Sequence, residues 1–222
     1  MLTAPVNFRP AAPGDAPFAT PLLYDISRRD FDYLFVDLAA RLSVLDVLDR
    51  FYRLPGGMFS WHNTELALVE GKPTGLVTAY AASSGDGSTA WLVRAVRTLG
   101  MHGLLRLAWR GLPASRTVRP LLPGSWYIAF VGVQAGQRSL GIGTRLIERS
   151  MMRARTPGCF CVELDVEHDN VLAQALYKRL GFQVVAERKV PRTSPLVATW
   201  RMRRNLEQGG TEGTEPPSAD NM

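Results

Sequence analysis

The most informative segment of the sequence is Val131-Gly-Val-Gln-Ala-Gly-Gln-Arg138-Ser-Leu-Gly141-Ile-Gly143-Thr144. The apolar run from Trp126 to Val133 predicts a central strand, and apolar residues at helical spacing predict a helix over Ile142 to Arg155. The glycine-bearing segment between them therefore turns directly from a strand into a helix. Such a turn leaves backbone amides unpaired at the positive end of the helix dipole, where a phosphate group binds favourably.

Two other kinds of phosphate loop fit this segment less well. A dinucleotide-binding fingerprint requires a third Gly or Ala three residues after Gly143, where the chain has Leu146. A nucleoside-triphosphate loop requires Gly-Lys followed by Ser or Thr, which the sequence lacks. Taken alone, the segment also fits an ordinary strand-to-helix turn, in which the glycines are needed only for the backbone conformation and not for binding a phosphate.

A second pattern follows, Leu164-Asp-Val-Glu-His-Asp-Asn170-Val-Leu-Ala173-Gln-Ala-Leu-Tyr177-Lys-Arg-Leu-Gly181-Phe182. It predicts a strand, then a helix that Asn170 caps and that Gly181 ends in a left-handed conformation. Helical spacing predicts a face that leaves room for a ligand, made of Asn170, Ala173, Gln174 and Tyr177. The other side of the helix is predicted to pack into the core through Val171, Leu172, Ala175, Leu176 and Leu180.

The two motifs together resemble the GNAT superfamily of acyl-CoA N-acyltransferases. Arg138-x-x-Gly141-x-Gly143 is similar to the pyrophosphate-binding signature of that family, and the segment from Asn170 to Phe182 is similar to its second motif. The resemblance covers about residues 7 to 203 and is less distinct before residue 60. It implies an α/β (α+β) fold with a mixed, mostly antiparallel sheet of six to seven strands flanked by helices.

The resemblance also implies a function. A GNAT enzyme is expected to transfer acetyl from acetyl-CoA directly to a primary amine, on a small molecule, a protein N-terminus or a lysine. The strand backbone would pair with the pantetheine arm, and the glycine turn would hold the pyrophosphate. The residues that it assigns to cofactor binding are Val131, Gly132, Val133, Arg138, Ser139, Leu140, Gly141, Ile142, Gly143, Thr144, Asn170, Ala173 and Tyr177.

Two catalytic residues are implied in the same way. Tyr177 would protonate the leaving thiolate, because a phenol and a thiol have ordinary pKa values of about 10 and 8.5. The central strand contains no acid that could serve as the base. Asp165 has the spacing of the proposed base in bacterial ribosomal-protein alanine acetyltransferases, and Glu163 and Glu167 share its strand face. A solvated or salt-bridged carboxylate is the alternative for Asp165, and His168 is a weaker choice of base.

Residues 84–120 form an insertion between the third and fourth strands, with helical spacing from Trp91 to Arg110. They carry six Arg and one acid, Asp86, and this excess of positive charge accounts for most of the formal net charge of +6. Three interpretations stay open: a cover over the acceptor cleft, a dimer element, or a surface for anionic partners. If the insertion lines the acceptor site, an acidic acceptor is expected.

The remaining features limit the alternatives. Cys159, Cys161 and three scattered His have no metal-ligand spacing, so we predict no metal site. Without a signal peptide or a long apolar run, the protein is expected to be cytoplasmic. Residues 1–206 are predicted to form one domain, and 207–222 a disordered acidic tail.

Two alternative functions remain, those of a non-catalytic acyl-CoA-binding module and of a nucleic-acid-associated protein. The acceptor, the acyl length and the oligomeric state, including a homodimer, stay open.

Overall fold

The computed structural model describes residues 5–38, 42–82, 89–117, 120–190 and 196–206, with the backbone alone for 89–95 and 111–117. The strands are β1 (Val6–Pro10), β2 (Thr64–Val69), β3 (Lys72–Ala81), β4 (Ser125–Val133), β5 (Cys161–Glu167), β6 (Gln183–Arg188) and β7 (Thr199–Asn205). The α-helices are α1 (Ala16–Ile26), α2 (Arg28–Phe35), α3 (Val44–Arg53), α4 (Thr89–Thr117), α5 (Ile142–Arg155) and α6 (Val171–Arg179).

All seven strands form one sheet in the order β1-β2-β3-β4-β5-β7-β6. Every neighbouring pair is antiparallel except β4 and β5, which are parallel and are connected through α5. The predicted fold is therefore confirmed, with seven strands. Its helical insertion is α4, which lies between β3 and β4 in the chain.

Helices cover both faces of the sheet. On one face α5 buries the stripe that its periodicity predicts, which consists of Leu146, Ile147, Ser150, Met151 and Ala154. On the other face α1 to α4 pack around a cluster of phenylalanine rings contributed by Phe31, Phe35, Phe51, Phe59 and Phe130. Each face of the central strands therefore has its own apolar core, as a sheet covered on both sides requires.

Residues 16–53 contain three helices, because Ser27 leaves helical geometry between α1 and α2. The insertion helix α4 extends beyond the predicted helical spacing, from Thr89 to Thr117. It contains a kink at Gly100, whose φ of 69° and ψ of 169° are open to a residue without a side chain.

The largest correction concerns α6. Of the five residues predicted to pack into the core, Val171 and Leu172 are 68% and 86% exposed, and Ala175 is exposed as well. The helix packs instead through Ala173, Leu176, Tyr177 and Leu180, which contact the core around α5. A nine-residue helix presents only one strip to the sheet, and this strip includes part of the face assigned to a ligand.

None of the helices in the described part of the chain is both long and apolar enough to span a bilayer. Residues 83–88, at the start of the insertion, and the predicted disordered tail at 207–222 lie outside the described residues.

Candidate active site

The centre of the sheet opens where β4 and β5 diverge. The two strands pair only over four positions, from Ser125 opposite Cys161 to Ile128 opposite Leu164. On its other side β4 pairs with β3 with a register shift that leaves Ala129 as an extra residue. A bulge of this kind bends a strand and increases its local twist. Residues 129–133 consequently have no partner on β5, and their backbone is available to a ligand on that side.

The predicted phosphate turn has the required geometry. A short 3-10 turn precedes Arg138, and both Ser139 and Gly141 have positive φ, of 63° and 81°. Gly141 directly precedes α5, whose first intrahelical bond runs from the amide of Arg145 to the carbonyl of Gly141. Within the described part of the chain, the amides of residues 139–144 donate to no backbone acceptor.

Space is present next to these amides. Apart from atoms of the adjacent backbone, no atom lies within 4 Å of the position that a Cβ would take at Gly136 or Gly141, and at Gly143 only Val133 Cγ2 does, at 3.8 Å. A phosphate group can therefore approach the backbone closely, which is the condition for anion binding at a helix N-terminus.

The other residues assigned to the cofactor have different positions. Val131 lines the opening between the strands, whereas Gly132 faces α1, so that an added Cβ would lie 2.8 Å from Ile26 Cδ1. The Val133 carbonyl accepts a hydrogen bond from Arg138 Nε at 3.1 Å. Leu140 and Ile142 pack into the core, and Thr144 is half-buried. Gly132, Leu140 and Ile142 can therefore contribute through their backbone alone.

Helix α6 supplies the second wall. Asn170 Oδ1 accepts a hydrogen bond from the amide of Ala173 at 3.1 Å, which confirms the predicted cap. Gly181 at the other end has φ of 83°. Asn170, Ala173 and Tyr177 line the same opening as Val131, on the side away from β3.

The opening is a cavity of about 120 Å³. Its walls come from the end of α1, the diverging parts of β4 and β5, and α6. Tyr177 stacks edge-on against Phe182 with ring centroids 5.9 Å apart, and burial raises the pKa of its phenol to about 12. Within the described residues its hydroxyl has no hydrogen-bond partner, so the proton that it keeps at neutral pH can be donated to a ligand.

The three carboxylates on β5 have different environments, because β7 runs opposite them. Glu163 lies opposite Arg203 and Asp165 lies opposite Arg201. Glu163 is buried and accepts hydrogen bonds from Arg203 and from the amide of Leu122. Asp165 is held by Arg201 through Nε at 2.6 Å and a terminal nitrogen at 2.9 Å, and it also accepts a hydrogen bond from Tyr127 at 3.0 Å. Asp165 is therefore salt-bridged, which is the alternative that the sequence left open.

Glu167 is the exception. The residue opposite it on β7 is Thr199, so no arginine faces it across the sheet. It lines the cavity together with Tyr177. Burial raises the pKa of the Glu167 carboxyl, and the nearby carboxylates of Asp169 and Asp30 raise it further, while Arg29 acts in the opposite direction. The alternation of Arg201 and Arg203 in the last strand is the sequence signal that could have distinguished Glu167 from its two neighbours.

The cavity walls contain no residue of α4 among those that the structure describes. The helix packs against α2 and α3 on the phenylalanine face of the sheet. A cover over the acceptor cleft therefore finds no support in the described part of α4. Cys159 and Cys161 are buried free thiols, and the described residues include no group of three or more His, Cys, Asp or Glu that could hold a metal ion.

Comparison with known families agrees with this geometry. The family model described as "Acetyltransferase (GNAT) family" matches residues 21–182, which is most of the chain. The chain belongs to the GNAT acetyltransferase family. GNAT acetyltransferases use acetyl-CoA, and the unpaired amides of residues 139–144, the open backbone of β4 and the cavity beside α6 fit the pyrophosphate, the pantetheine arm and the thioester of that molecule.

One relative matches part of this chain in sequence. The chain is 36% identical over 101 residues to a mycothiol acetyltransferase from Beutenbergia cavernae, a match that covers 46% of this chain and 30% of the relative. The matched segment is thus less than a third of that protein's length.

Solved structures share the fold. An N-acetyltransferase from Staphylococcus aureus Mu50 superposes with a TM-score of 0.62 at 19% identity, covering 89% of this chain and all of the other. The ribosomal-protein-S18-alanine N-acetyltransferase from Escherichia coli superposes with a TM-score of 0.52 at 15% identity, covering 94% and 98%. At these identities the likeness shows a shared fold alone.

The salt bridge of Asp165 leads to a prediction about stability. Asp165→Asn should destabilise the protein by about 2–3 kcal/mol, because the buried Arg201 loses its bidentate partner. Glu167→Gln is the matched control. Folding raises the Glu167 pKa, so any stability that its protonation contributes is present below the unfolded pKa and is lost as pH rises through the folded pKa. At neutral pH the uncharged Gln should therefore not lower the free energy of unfolding. Thermal unfolding at pH 7 measures both. Equal melting temperatures for wild type and Asp165→Asn would contradict the structural role.

Proposed function

We propose that the protein transfers the acetyl group of acetyl-CoA directly to a primary amine, with Tyr177 as the proton donor and Glu167 as the proton acceptor. The observation that carries this proposal is the cavity between β4 and β5. This small space is lined by the phenol of Tyr177 and by Glu167, whose carboxylate has no arginine opposite it in the sheet, beside open strand backbone. When bound, acetyl-CoA supplies the thioester from which the acetyl group leaves.

The cofactor half of the site has three parts. The amides of residues 139–144, with Arg138, would hold the pyrophosphate by charge-assisted hydrogen bonds. Residues 129–133 of β4 would pair with the pantetheine arm through the backbone of Val131 and Val133. Asn170 uses Oδ1 as the helix cap, so its Nδ2 group is the part of this side chain that would contact the cofactor, and Ala173 leaves space beside it.

Tyr177 acts on the leaving group. Its raised pKa keeps the proton on Oη until the C–S bond breaks and the sulfur takes it. A pKa of about 12 makes a phenol a weak acid, but the same burial disfavours a thiolate in the cavity, so both anions are destabilised together.

Glu167 is assigned as the base in place of Asp165. An amine acceptor must lose a proton before or while the new C–N bond forms. Asp165 is already bound by Arg201 and Tyr127, whereas the Glu167 carboxylate has a raised pKa and therefore a greater affinity for that proton. The role that remains for Asp165 is to hold Tyr127 and Arg201 in place through its hydrogen bonds with them.

The acceptor class is inferred from the charges near Glu167. Asp169 and Asp30 lie close enough to Glu167 to influence its pKa. Arg29 is bound to Asp169 at 3.1 Å and Arg188 lies 3.8 Å from Asp30, so two guanidinium groups face three carboxylates. These carboxylates favour a cationic amine, such as a small-molecule amine, a protein N-terminus or a lysine, over the acidic acceptor considered for the insertion. A cytoplasmic location, where acetyl-CoA is available, is part of the proposal, and a homodimer remains open.

A pH profile tests the assignment of the base. Release of CoA thiol is followed with acetyl-CoA and a panel of amines: spermidine, a lysine peptide and a peptide with a free N-terminal alanine. Glu167→Gln should lower kcat/KM about 100-fold near neutral pH and remove the wild-type decrease on the acid side. That decrease should occur above the ordinary glutamate pKa of about 4.3, because the Glu167 pKa is raised.

Asp169→Asn provides the control for this profile. Loss of the Asp169 carboxylate, and release of Arg29 from it, both lower the Glu167 pKa, so the acid-side decrease should move to lower pH while kcat is retained. If Glu167→Gln keeps the wild-type profile, Glu167 is not the base. If the wild type turns over no amine in the panel but binds acetyl-CoA, transfer to these amine classes is contradicted.

A further inference from the structure

The outer side of α4 exposes a row of large apolar side chains. Met101, Leu105 and Trp109 are 60%, 60% and 77% exposed. They are spaced four residues apart, so they lie on one face of the helix after its kink at Gly100. We call these three residues the α4 outer stripe. Single exposed apolar residues are common on protein surfaces, but a continuous row that includes a tryptophan indicates a contact surface.

The opposite side of α4 is firmly packed, so the exposure of the stripe is not the result of an undocked helix. Leu99 and Gly103 are buried, and an added Cβ at Gly103 would lie 2.6 Å from the carbonyl oxygen of Leu38. Leu104 and Leu107 pack against the phenylalanine core. The helix therefore has a fixed inner face and a fixed outer face.

Positive charge borders the stripe. α4 contains five Arg and no Lys, Asp or Glu. Arg106 donates to the carbonyl oxygen of Asp37 at 2.6 Å, and Arg110 donates to that of Val36. These carbonyls carry no net charge. Among the described side chains, Arg97, Arg106 and Arg110 form no ion pair with a carboxylate, so their charges remain uncompensated.

The groove beside the stripe has a volume of about 680 Å³. It is lined by Asp37, His102, Leu105, Arg106, Trp109 and Arg110. Asp37 is the one carboxylate in this lining, against two guanidinium groups. The surface is therefore apolar in the middle and cationic beside it.

We propose that α4 docks the protein on an anionic phospholipid surface, with Met101, Leu105 and Trp109 at the level of the headgroups and the arginines against lipid phosphates. An interfacial helix combines an exposed apolar row with Arg or Lys beside it, and tryptophan is suited to the boundary between lipid and water. The charge of α4 is complementary to anionic lipid, which attracts basic segments near a membrane.

Two other occupants match the surface less well. A nucleic acid would use the arginines but would leave three apolar side chains without a function. A second copy docked through the same patch would bring Arg106 and Arg110 of both copies together, because a twofold interface places identical surfaces opposite each other. Both occupants are outcomes of the test.

The test uses the full chain and sucrose-loaded vesicles, of phosphatidylcholine alone or mixed in equal parts with phosphatidylglycerol. The wild type should sediment with the anionic vesicles at least about 10-fold more strongly than with neutral ones, and added salt should release it. Replacement of Met101, Leu105 and Trp109 together by Ser should reduce this binding at least about 10-fold. Arg97→Glu should weaken binding to anionic vesicles and leave binding to neutral vesicles unchanged.

Val171→Ser combined with Leu172→Ser is the matched control, because these two residues are also exposed but lie on α6. This control variant should bind vesicles like the wild type, and all variants should keep the wild-type melting temperature. Three results overturn the proposal. The first is equal sedimentation with neutral and anionic vesicles, or none with either. The second is concentration-dependent self-association that the triple variant abolishes, without vesicle binding. The third is duplex DNA binding that the triple variant retains, again without vesicle binding.

Discussion

Gly141→Glu is expected to abolish acetyl-CoA binding, with a loss in affinity of at least about 100-fold. The new carboxylate would lie beside the unpaired amides of residues 139–144, where the pyrophosphate is proposed to bind. At a separation of about 5 Å and an effective dielectric constant of about 20, two like charges repel by about 3 kcal/mol, which corresponds to more than 100-fold. Isothermal calorimetry of acetyl-CoA binding measures the effect.

Two control variants separate charge from backbone strain. Gly141 has φ of 81°, so any side chain there costs about 1 kcal/mol, although no atom lies within 4 Å of the added Cβ. Gly141→Ala has this strain without bulk, and Gly141→Gln has the bulk of Glu without its charge. Both should bind acetyl-CoA more tightly than Gly141→Glu does. Wild-type affinity in folded Gly141→Glu would show that the turn does not hold the pyrophosphate.

Tyr177→Phe is expected to lower kcat about 1,000-fold while acetyl-CoA binding is retained. The phenylalanine ring preserves the edge-on contact with Phe182 and removes only the proton at Oη. Because the pKa of Tyr177 is raised to about 12, its ionisation should cause no loss of wild-type activity at mildly alkaline pH. General acid catalysis of this kind contributes about 100- to 10,000-fold. Steady-state kinetics and calorimetry on the same preparation measure both quantities.

Tyr127→Phe is the control, since Tyr127 is also a tyrosine of the central sheet but donates its hydroxyl to Asp165. It should lose some stability and keep most of its turnover. If Tyr177→Phe turns over within a few-fold of the wild type, the thiolate leaves without this proton. If the wild type binds acetyl-CoA and neither protein acetylates any amine, the alternative of a non-catalytic acyl-CoA-binding module is favoured.

The sheet and the glycine turn could be predicted from the sequence because their signals are local. The apolar run of β4, the glycines before Ile142 and the stripe of α5 each lie within about twenty residues. The rotation of α6 about its axis could not be predicted in the same way. Periodicity identified apolar residues on more than one side of this helix, and the contact with the core around α5 selected Leu176 and Leu180 over Val171 and Leu172.

The choice of base depended on contacts that are distant in the chain. Its spacing from Asn170 and Tyr177 indicated Asp165 as the base. That spacing carries no information about Arg201, which lies opposite Asp165 in the sheet but 36 residues later in the chain. The register of β7 decides which carboxylate is neutralised. A shift of the alternating arginines by two residues would have left a different acid without an arginine opposite it.

The short seam between β4 and β5 has a mechanical consequence. Four paired positions join a sub-sheet of β1 to β4 to a sub-sheet of β5 to β7, fewer than join any other two neighbouring strands. The first sub-sheet carries the open backbone of β4, and the second carries Glu167. A ligand in the cleft would contact both sub-sheets, and it would therefore add a connection between them where the hydrogen-bonded seam ends.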